Sequence, residues 1–356
     1  MINVTKPFLP PREEYQDYLK GIWERNWLTN KGPLVLELEL KLKEYLGIEN
    51  LLFLSNGTIA IQFAIKALNL KGNIITTPFS YVATTSSIMW EACNPVFVDI
   101  DPGTLNINPA LIEKAIDENT TGIIATHCFG NACDIDAIAA IAQKYKLKVI
   151  YDGAHCFGTK YKNKTVFAYG DVTTASFHAT KVFHTTEGGA VFAKDEEVLQ
   201  RMYFMRNFGH DGPEKFSGVG INGKNSEFHA AMGLCNFKYI DSILKTRKEQ
   251  SDIYDSLLKT SGLRKQKIQE GCEFNYSYYP VIFPSEAKMM AAKNALENKN
   301  IFTRRYFFPS LSNLEYVPKQ HTPVSDDISK RILCLPLFHD LSEKEQIQIA
   351  RIVLGE

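Results

Sequence analysis

The chain has 356 residues, with 40 basic and 40 acidic side chains, no formal net charge and 45% hydrophobic residues. At roughly 100–200 residues per domain, that length suits one large domain with a smaller one, or two of middling size. The balanced charge argues against an electrostatic nucleic-acid binder, which needs a clustered basic surface, and the apolar content argues against a disordered chain.

The opening segment Met1–Lys6 has neither a basic stretch leading into an apolar run nor a small-residue cleavage site. Apolar windows such as Ile138–Ile150 are broken by Gln143, Lys144, Lys146 and Lys148, so no membrane span is expected. The seven cysteines (Cys93, Cys128, Cys133, Cys156, Cys235, Cys272, Cys334) are odd in number, irregular in spacing and without a C-x-x-C. They signal neither a disulfide framework nor a zinc cluster, and a soluble cytoplasmic enzyme with free thiols and no bound metal is expected.

In chain order, Pro7, Pro10 and Pro11 lead into a helical stretch over Glu13–Trp27, and Leu34–Leu46 is rich in helix formers and stops at Gly47. Leu51–Leu54 reads as a buried strand that breaks at Ser55-Asn56-Gly57-Thr58 before a helix over Ile59–Leu68. Gly72–Pro78 reads as strand and stop, Ala83–Cys93 as helix, Pro95–Ile100 as strand and Leu111–Glu118 as helix. Thr121–Thr126 and Lys148–Tyr151 are strands flanking a helix over Ile135–Tyr145. Short apolar strands alternating with helices predict an α/β layer with a mostly parallel sheet covered on both faces. The alternation blurs after Ala193. A glycine-rich stretch then runs through Gly209, Gly212, Gly218, Gly220 and Gly223 to a long helical segment, Glu227–Leu257. The domain boundary is expected in or after that helix. The working division is an amino-terminal arm and helix over 1–30, a large domain over 31–245 and a small one over 246–356.

In open parallel sheets ligands sit at the carboxyl ends of strands. The informative positions are therefore Ser55–Thr58, Pro78–Tyr81, His127–Asn131, Asp152–His155 and Ser176–Lys181. Gly57 and Thr58 at a helix start suit an anion, although an ordinary capped turn has the same composition. Asp152 after a strand is either a helix N-cap or a buried carboxylate facing a cationic ring nitrogen. Lys181 would by default be a surface lysine, but the segment around it is small and apolar rather than charged. Together these residues suit one cofactor, pyridoxal phosphate. It requires a lysine for an imine, a carboxylate on the pyridinium nitrogen, an anion cradle and a group to stack on the ring.

The chain resembles the DegT-type nucleotide-sugar aminotransferases, a branch of the fold-type I pyridoxal-phosphate enzymes. The likeness runs from Trp27–Pro33 through Ser55–Thr58, Thr77–Thr84 and Pro95–Asp101. It is strongest at Tyr151–Gly158, Gly170–Lys181 and Glu187–Ala190. The resemblance implies a large domain with a mostly parallel, seven-stranded sheet between helices and a smaller α+β carboxyl-terminal domain. It implies that Lys181 is the imine-forming lysine and proton shuttle, and that Asp152 partners the ring nitrogen. It implies that Gly57, Thr58 and Ser176 hold the phosphate, that Tyr81 stacks on the ring, that His155 lies beside the cofactor as a catalytic residue, and that Asn56 and His178 also bind the cofactor. Gly220–Glu227 resembles a loop that crosses to a neighbouring subunit, so Asn222 is the phosphate contact supplied in trans within a homodimer with shared sites. Gly153 stands where a relative commonly has Ala, and Lys224 where many have Arg.

By the same resemblance the reaction is transamination from L-glutamate, released as 2-oxoglutarate, to a nucleotide-linked keto sugar. The segment Val4–Pro11 and the loop Ile221–Lys224 look most like enzymes that act on dTDP-4-keto-6-deoxyglucose and yield dTDP-4-amino-4,6-dideoxyglucose, a precursor of bacterial surface polysaccharide such as O-antigen. Amination at C-3 of a related sugar is the alternative. A dehydratase is disfavoured because its lysine position carries His, and a binding-only regulator is the remaining alternative.

Overall fold

The structure, a computed structural model, describes residues 1–356. Its centre is a seven-stranded sheet. The strands are β1 (Leu51–Leu54), β2 (Asn73–Thr76), β3 (Asn94–Phe97), β4 (Thr120–Thr126), β5 (Lys148–Asp152), β6 (Val172–Ser176) and β7 (Gly189–Ala193). Their spatial order is β1-β7-β6-β5-β4-β2-β3. Every neighbouring pair is parallel except the two that β7 makes, with β1 and β6. The expected α/β class and mostly parallel sheet are therefore present.

β1, β7 and the Val149–Tyr151 stretch of β5 read as unbroken apolar runs because both faces are covered. Side chains alternate across the sheet. Leu51, Phe53, Val149 and Tyr151 enter one core, whereas Leu52, Leu54 and Ile150 enter the other. Register aligns one edge of the sheet, where Thr126 lies beside Asp152, Asp152 beside Thr174, and Gly189, the first residue of antiparallel β7, between Leu54 and Ser176.

Beyond the sheet, an antiparallel three-stranded sheet of Arg264–Lys265, Tyr279–Ile282 and Ile332–Leu335 carries the helices Ile240–Leu257, Glu286–Glu297 and Glu343–Leu354. This is the α+β arrangement expected of the carboxyl-terminal part. A separate apolar cluster joins the two parts, packing Phe79, Cys128 and Phe129 against Tyr278, Phe307 and Cys334. The cysteines are all free, six of them buried and Cys272 half-buried.

Three elements differ from the sequence reading. The helix expected over Leu111–Glu118 is a short one, Pro109–Ile112, followed by a single tight turn, Glu113–Ala115. It stops because the Asp117 carboxylate draws the chain into a turn, accepting from Asn119 N at 3.1 Å and Thr120 Oγ1 at 2.6 Å. The strand expected to reach Ile100 ends at Phe97, since the Asp99 carboxylate caps the helix Pro323–Arg331 by accepting from Val324 N and Ser325 N at 2.8 Å. The long helix expected over Glu227–Leu257 is two helices, Glu227–Phe237 and Ile240–Leu257. At the break Lys238 Nζ donates to Glu14 at 2.6 Å, Tyr239 Oη donates to the same carboxylate, and the Tyr239 ring packs on Phe8.

Candidate active site

A pocket of about 280 Å³ opens at the carboxyl edge of the sheet. Asn56, Gly57 and Thr58 follow β1, Ser80 and Tyr81 follow β2, Asp152 ends β5 with His155 just beyond it, and Ser176 ends β6 with His178 and Lys181 after it. Of the segments singled out from the sequence, only His127–Asn131 stays off the wall. His127 is wholly buried behind it, stacked on Tyr151. Its Nδ1 accepts from Cys133 N at 3.0 Å, and burial lowers its pKa to about 3, so it is neutral.

The turn after β1 begins the helix Gly57–Ala67 earlier than its apolar pattern suggests. Asn56 is the N-cap, its Oδ1 accepting from Ile59 N at 2.9 Å. The N–H groups of Gly57 and Thr58 are then first-turn donors with no acceptor inside the helix. Two close approaches shape this cradle. A Cβ on Gly57 would lie 2.9 Å from Ser176 Cβ, and a Cβ on Gly189 would overlap the Asn56 carbonyl. Only glycines let the turn press onto the ends of β6 and β7.

Asp152 is buried, and its carboxylate is oriented from both sides. Thr84 Oγ1 donates to Oδ2 at 2.7 Å and Ala154 N donates to Oδ1 at 3.1 Å. Behind Thr84, Ser80 Oγ links Thr84 Oγ1 and Thr126 Oγ1, both at 2.9 Å. A Cβ on Gly153 would meet Thr174 O and Phe167 at 2.9 Å, so the smaller residue suits this packing.

Lys181 Nζ makes neither a hydrogen bond nor an ion pair with the protein; only its backbone N–H is engaged, with His178 O at 2.9 Å. Burial lowers its pKa to about 8, against the opposing pull of Asp152 and with some help from Arg304. The amine therefore begins to lose its proton just above neutral pH and is half neutral near pH 8.

His155 is buried with Nδ1 accepting from Phe129 N at 3.2 Å, which leaves the proton of the neutral ring on Nε2. Burial and the Lys181 charge push its pKa well below the ordinary value. Its ring lies nearly parallel to those of Phe129 and Phe307. Its carbonyl accepts from Asn275 Nδ2 at 2.7 Å and from Ser277 Oγ at 2.5 Å. His178 sits at the rim, bonded to Thr180 Oγ1 at 2.8 Å and 3.5 Å from Glu187. Tyr81 lines the pocket but is 54% exposed.

Arg304, Tyr306 and Phe307 complete the wall from the carboxyl-terminal part, and sequence reading missed them. Asn222 is not part of this pocket within one chain. It is exposed on the glycine-rich loop, bridged to Asn207. Lys224 lines a separate cavity of about 150 Å³ with Lys31, Arg206 and His210.

The residues present fit pyridoxal phosphate. The cradle offers unpaired N–H groups to a phosphate, and a buried carboxylate and an unpartnered amine share one pocket.

Comparison with known proteins agrees. The profile of the DegT/DnrJ/EryC1/StrS aminotransferase family matches residues 11–354. The chain is 43% identical to a dTDP-4-amino-4,6-dideoxy-D-glucose transaminase of Shigella dysenteriae, over 96% of this chain and 95% of that protein. It is 37% identical to one of Escherichia coli, over 100% of this chain and 98% of the other. The crystal structure of DesI with its TDP-sugar product superposes with a TM-score of 0.94 at 27% identity, covering 99% of this chain and 92% of that one.

Proposed function

The chain belongs to the DegT/DnrJ/EryC1/StrS aminotransferase family, and from that premise we propose that it uses pyridoxal phosphate to move an amino group from L-glutamate to C-4 of dTDP-4-keto-6-deoxyglucose. The product is dTDP-4-amino-4,6-dideoxyglucose for bacterial surface polysaccharide, made in the cytoplasm. The observation that carries the reading is the shared pocket of unpartnered Lys181 and buried Asp152, in a chain 43% identical to a transaminase of that name.

When bound, pyridoxal phosphate supplies an aldehyde that takes up the amino group and a ring that accepts the electron pair left at a deprotonated carbon. Asp152 would hold the ring nitrogen protonated, and Thr84 and Ala154 fix the direction of its carboxylate. Gly57, Thr58 and Ser176 would hold the phosphate, with Asn56 capping the helix that Gly57 and Thr58 begin. Tyr81 and His155 would flank the ring and His178 would border it, since all three line the pocket. Lys181 Nζ takes the proton from the donor carbon and returns one to the sugar carbon, first as base and then as acid. A pKa of about 8 suits both roles near neutral pH. L-Glutamate leaves as 2-oxoglutarate and the keto sugar leaves as an amine, so no outside oxidant or reductant is consumed.

The active unit is a homodimer in which Asn222 reaches the phosphate of the neighbouring copy. Its exposure outside its own pocket supports that reading. No helix is long and apolar enough to cross a membrane. The deciding experiment is product NMR after incubation with L-glutamate and, in turn, the 4-keto and 3-keto sugar nucleotides. The 4-amino product is expected, and the 3-amino product alone would overturn the assignment of C-4.

A further inference from the structure

Two adjacent arginines of the carboxyl-terminal part are used differently. Arg305 is committed to the fold, its Nη2 donating to Glu286 at 2.8 Å and to Lys330 O at 3.0 Å. Arg304 has no carboxylate partner and no side-chain hydrogen bond. Its guanidinium lies 4.9 Å from the centre of the Tyr306 ring, and both line the Lys181 pocket. Its backbone is clamped to Cys334, with N···O distances of 3.3 and 2.8 Å in the two directions. The fork is thus carried on a rigid segment, backed by an aromatic face, with its donors free.

The other titratable groups on the wall sharpen the point. Asp152 and Glu187 are acids, His155 is neutral, His178 stands 3.5 Å from Glu187, and Lys181 must lose its proton to act. Arg304 is the one permanent cation. Its charge is felt at Lys181, one of the causes that lower that amine's pKa. An anion held by Arg304 would share one pocket with the reacting amine. In an α-amino acid the carboxylate is one bond from the carbon that loses its proton. In a 4-keto sugar nucleotide the diphosphate hangs from the opposite end of the sugar ring.

We infer that Arg304 binds the α-carboxylate of the amino donor, presenting two parallel N–H groups to it while Lys181 removes the neighbouring proton. The inference rests on the reaction proposed above and deepens it by assigning the donor's anchor.

The test separates the two halves of the reaction in Arg304→Gln and Arg304→Lys holoenzyme, with glutarate binding by calorimetry as a readout independent of turnover. Loss of a charge-assisted, two-pronged contact is expected to raise the half-saturating L-glutamate concentration about 10–100-fold in Arg304→Gln. Glutarate should weaken alongside it. Arg304→Lys, which keeps the charge but not the fork, falls between. The half-reaction with the keto sugar nucleotide should change by less than about 2-fold. The α-amide of L-glutamate, lacking the charge, should hardly distinguish variant from wild type.

Loss confined to the sugar half-reaction would assign Arg304 to the diphosphate and overturn the inference, as would equal loss in both halves. A wild type that ignores L-glutamate would overturn the donor and this inference together. A wild type that uses L-glutamate, matched by Arg304→Gln, would overturn this inference alone.

Discussion

Arg206 and Lys181 are both cations drawn into the protein, and their surroundings differ in one respect. Arg206, 5% exposed, is held by Glu39 at 2.6 Å and by Phe53 O at 3.0 Å, and Glu39 also accepts from Phe53 N at 2.9 Å. That trio ties the helix Pro33–Leu46 and β1 to the loop after the helix Glu196–Met205. Lys181 has no such partner, and its pKa falls to about 8. A paired buried charge stays a charge and serves as a tie. An unpaired one becomes partly neutral, and its lone pair is available for chemistry.

Four measurements break or sharpen this contrast. On the roles proposed for it, covalent link and proton carrier, Lys181→Ala should lower turnover by about 10⁴-fold or more. Borohydride should then no longer fix cofactor mass onto the chain, while the melting temperature stays near wild type; retained labelling would move the covalent role to another lysine. Glu39→Ala should do the reverse. Stranding Arg206 in the interior is expected to cost about 3–5 kcal/mol of unfolding free energy, read by denaturant titration. Turnover per folded molecule should stay within a few-fold, and an unchanged denaturation midpoint would show that the pair is not a tie.

On the proposal that Asp152 is the electrostatic partner of the reacting ring, Asp152→Ala should reduce turnover about 10²–10³-fold with little loss of fold. A mild effect would reduce Asp152 to a turn-forming residue.

The smallest effect is a pH slope. Lys181 is lowered from 10.5 to about 8 in the folded chain, so between those values the unfolded chain binds more protons. Apoprotein stability should therefore rise with pH across that window, and Lys181→Ala should lack that rise. Capture of added pyridoxal phosphate by apoprotein should quicken as pH passes about 8, the point at which the amine becomes neutral.

Legibility varied along the chain for physical reasons. β1, β4 and β5 were readable because each face of the sheet is covered and both sets of side chains are apolar. β6 is harder to read, since buried Thr173 and Thr174 look like loop residues. Their hydroxyls donate to Tyr169 O and Tyr151 O, partners that folding supplies. The pocket residues after β1, β2, β5 and β6 were legible because the ends of parallel strands converge. Arg304, Tyr306 and Phe307 carry no local mark, and they reach the same wall through the apolar cluster that joins the two parts. The break at Lys238–Tyr239 was hidden for a similar reason: the carboxylate that secures it is Glu14, at the other end of the chain.

The sequence by itself determined which residue types stand at the ends of which strands, and with them the kind of chemistry expected, because strand and helix periodicity and turn composition are local properties. Tertiary structure alone decided that β7 runs against its neighbours, that Arg206 is neutralised by Glu39, and that Lys181 and Arg304 are left without carboxylate partners. Pairing and desolvation depend on groups brought together from distant parts of the chain, and those settle whether a lysine stays charged or reacts.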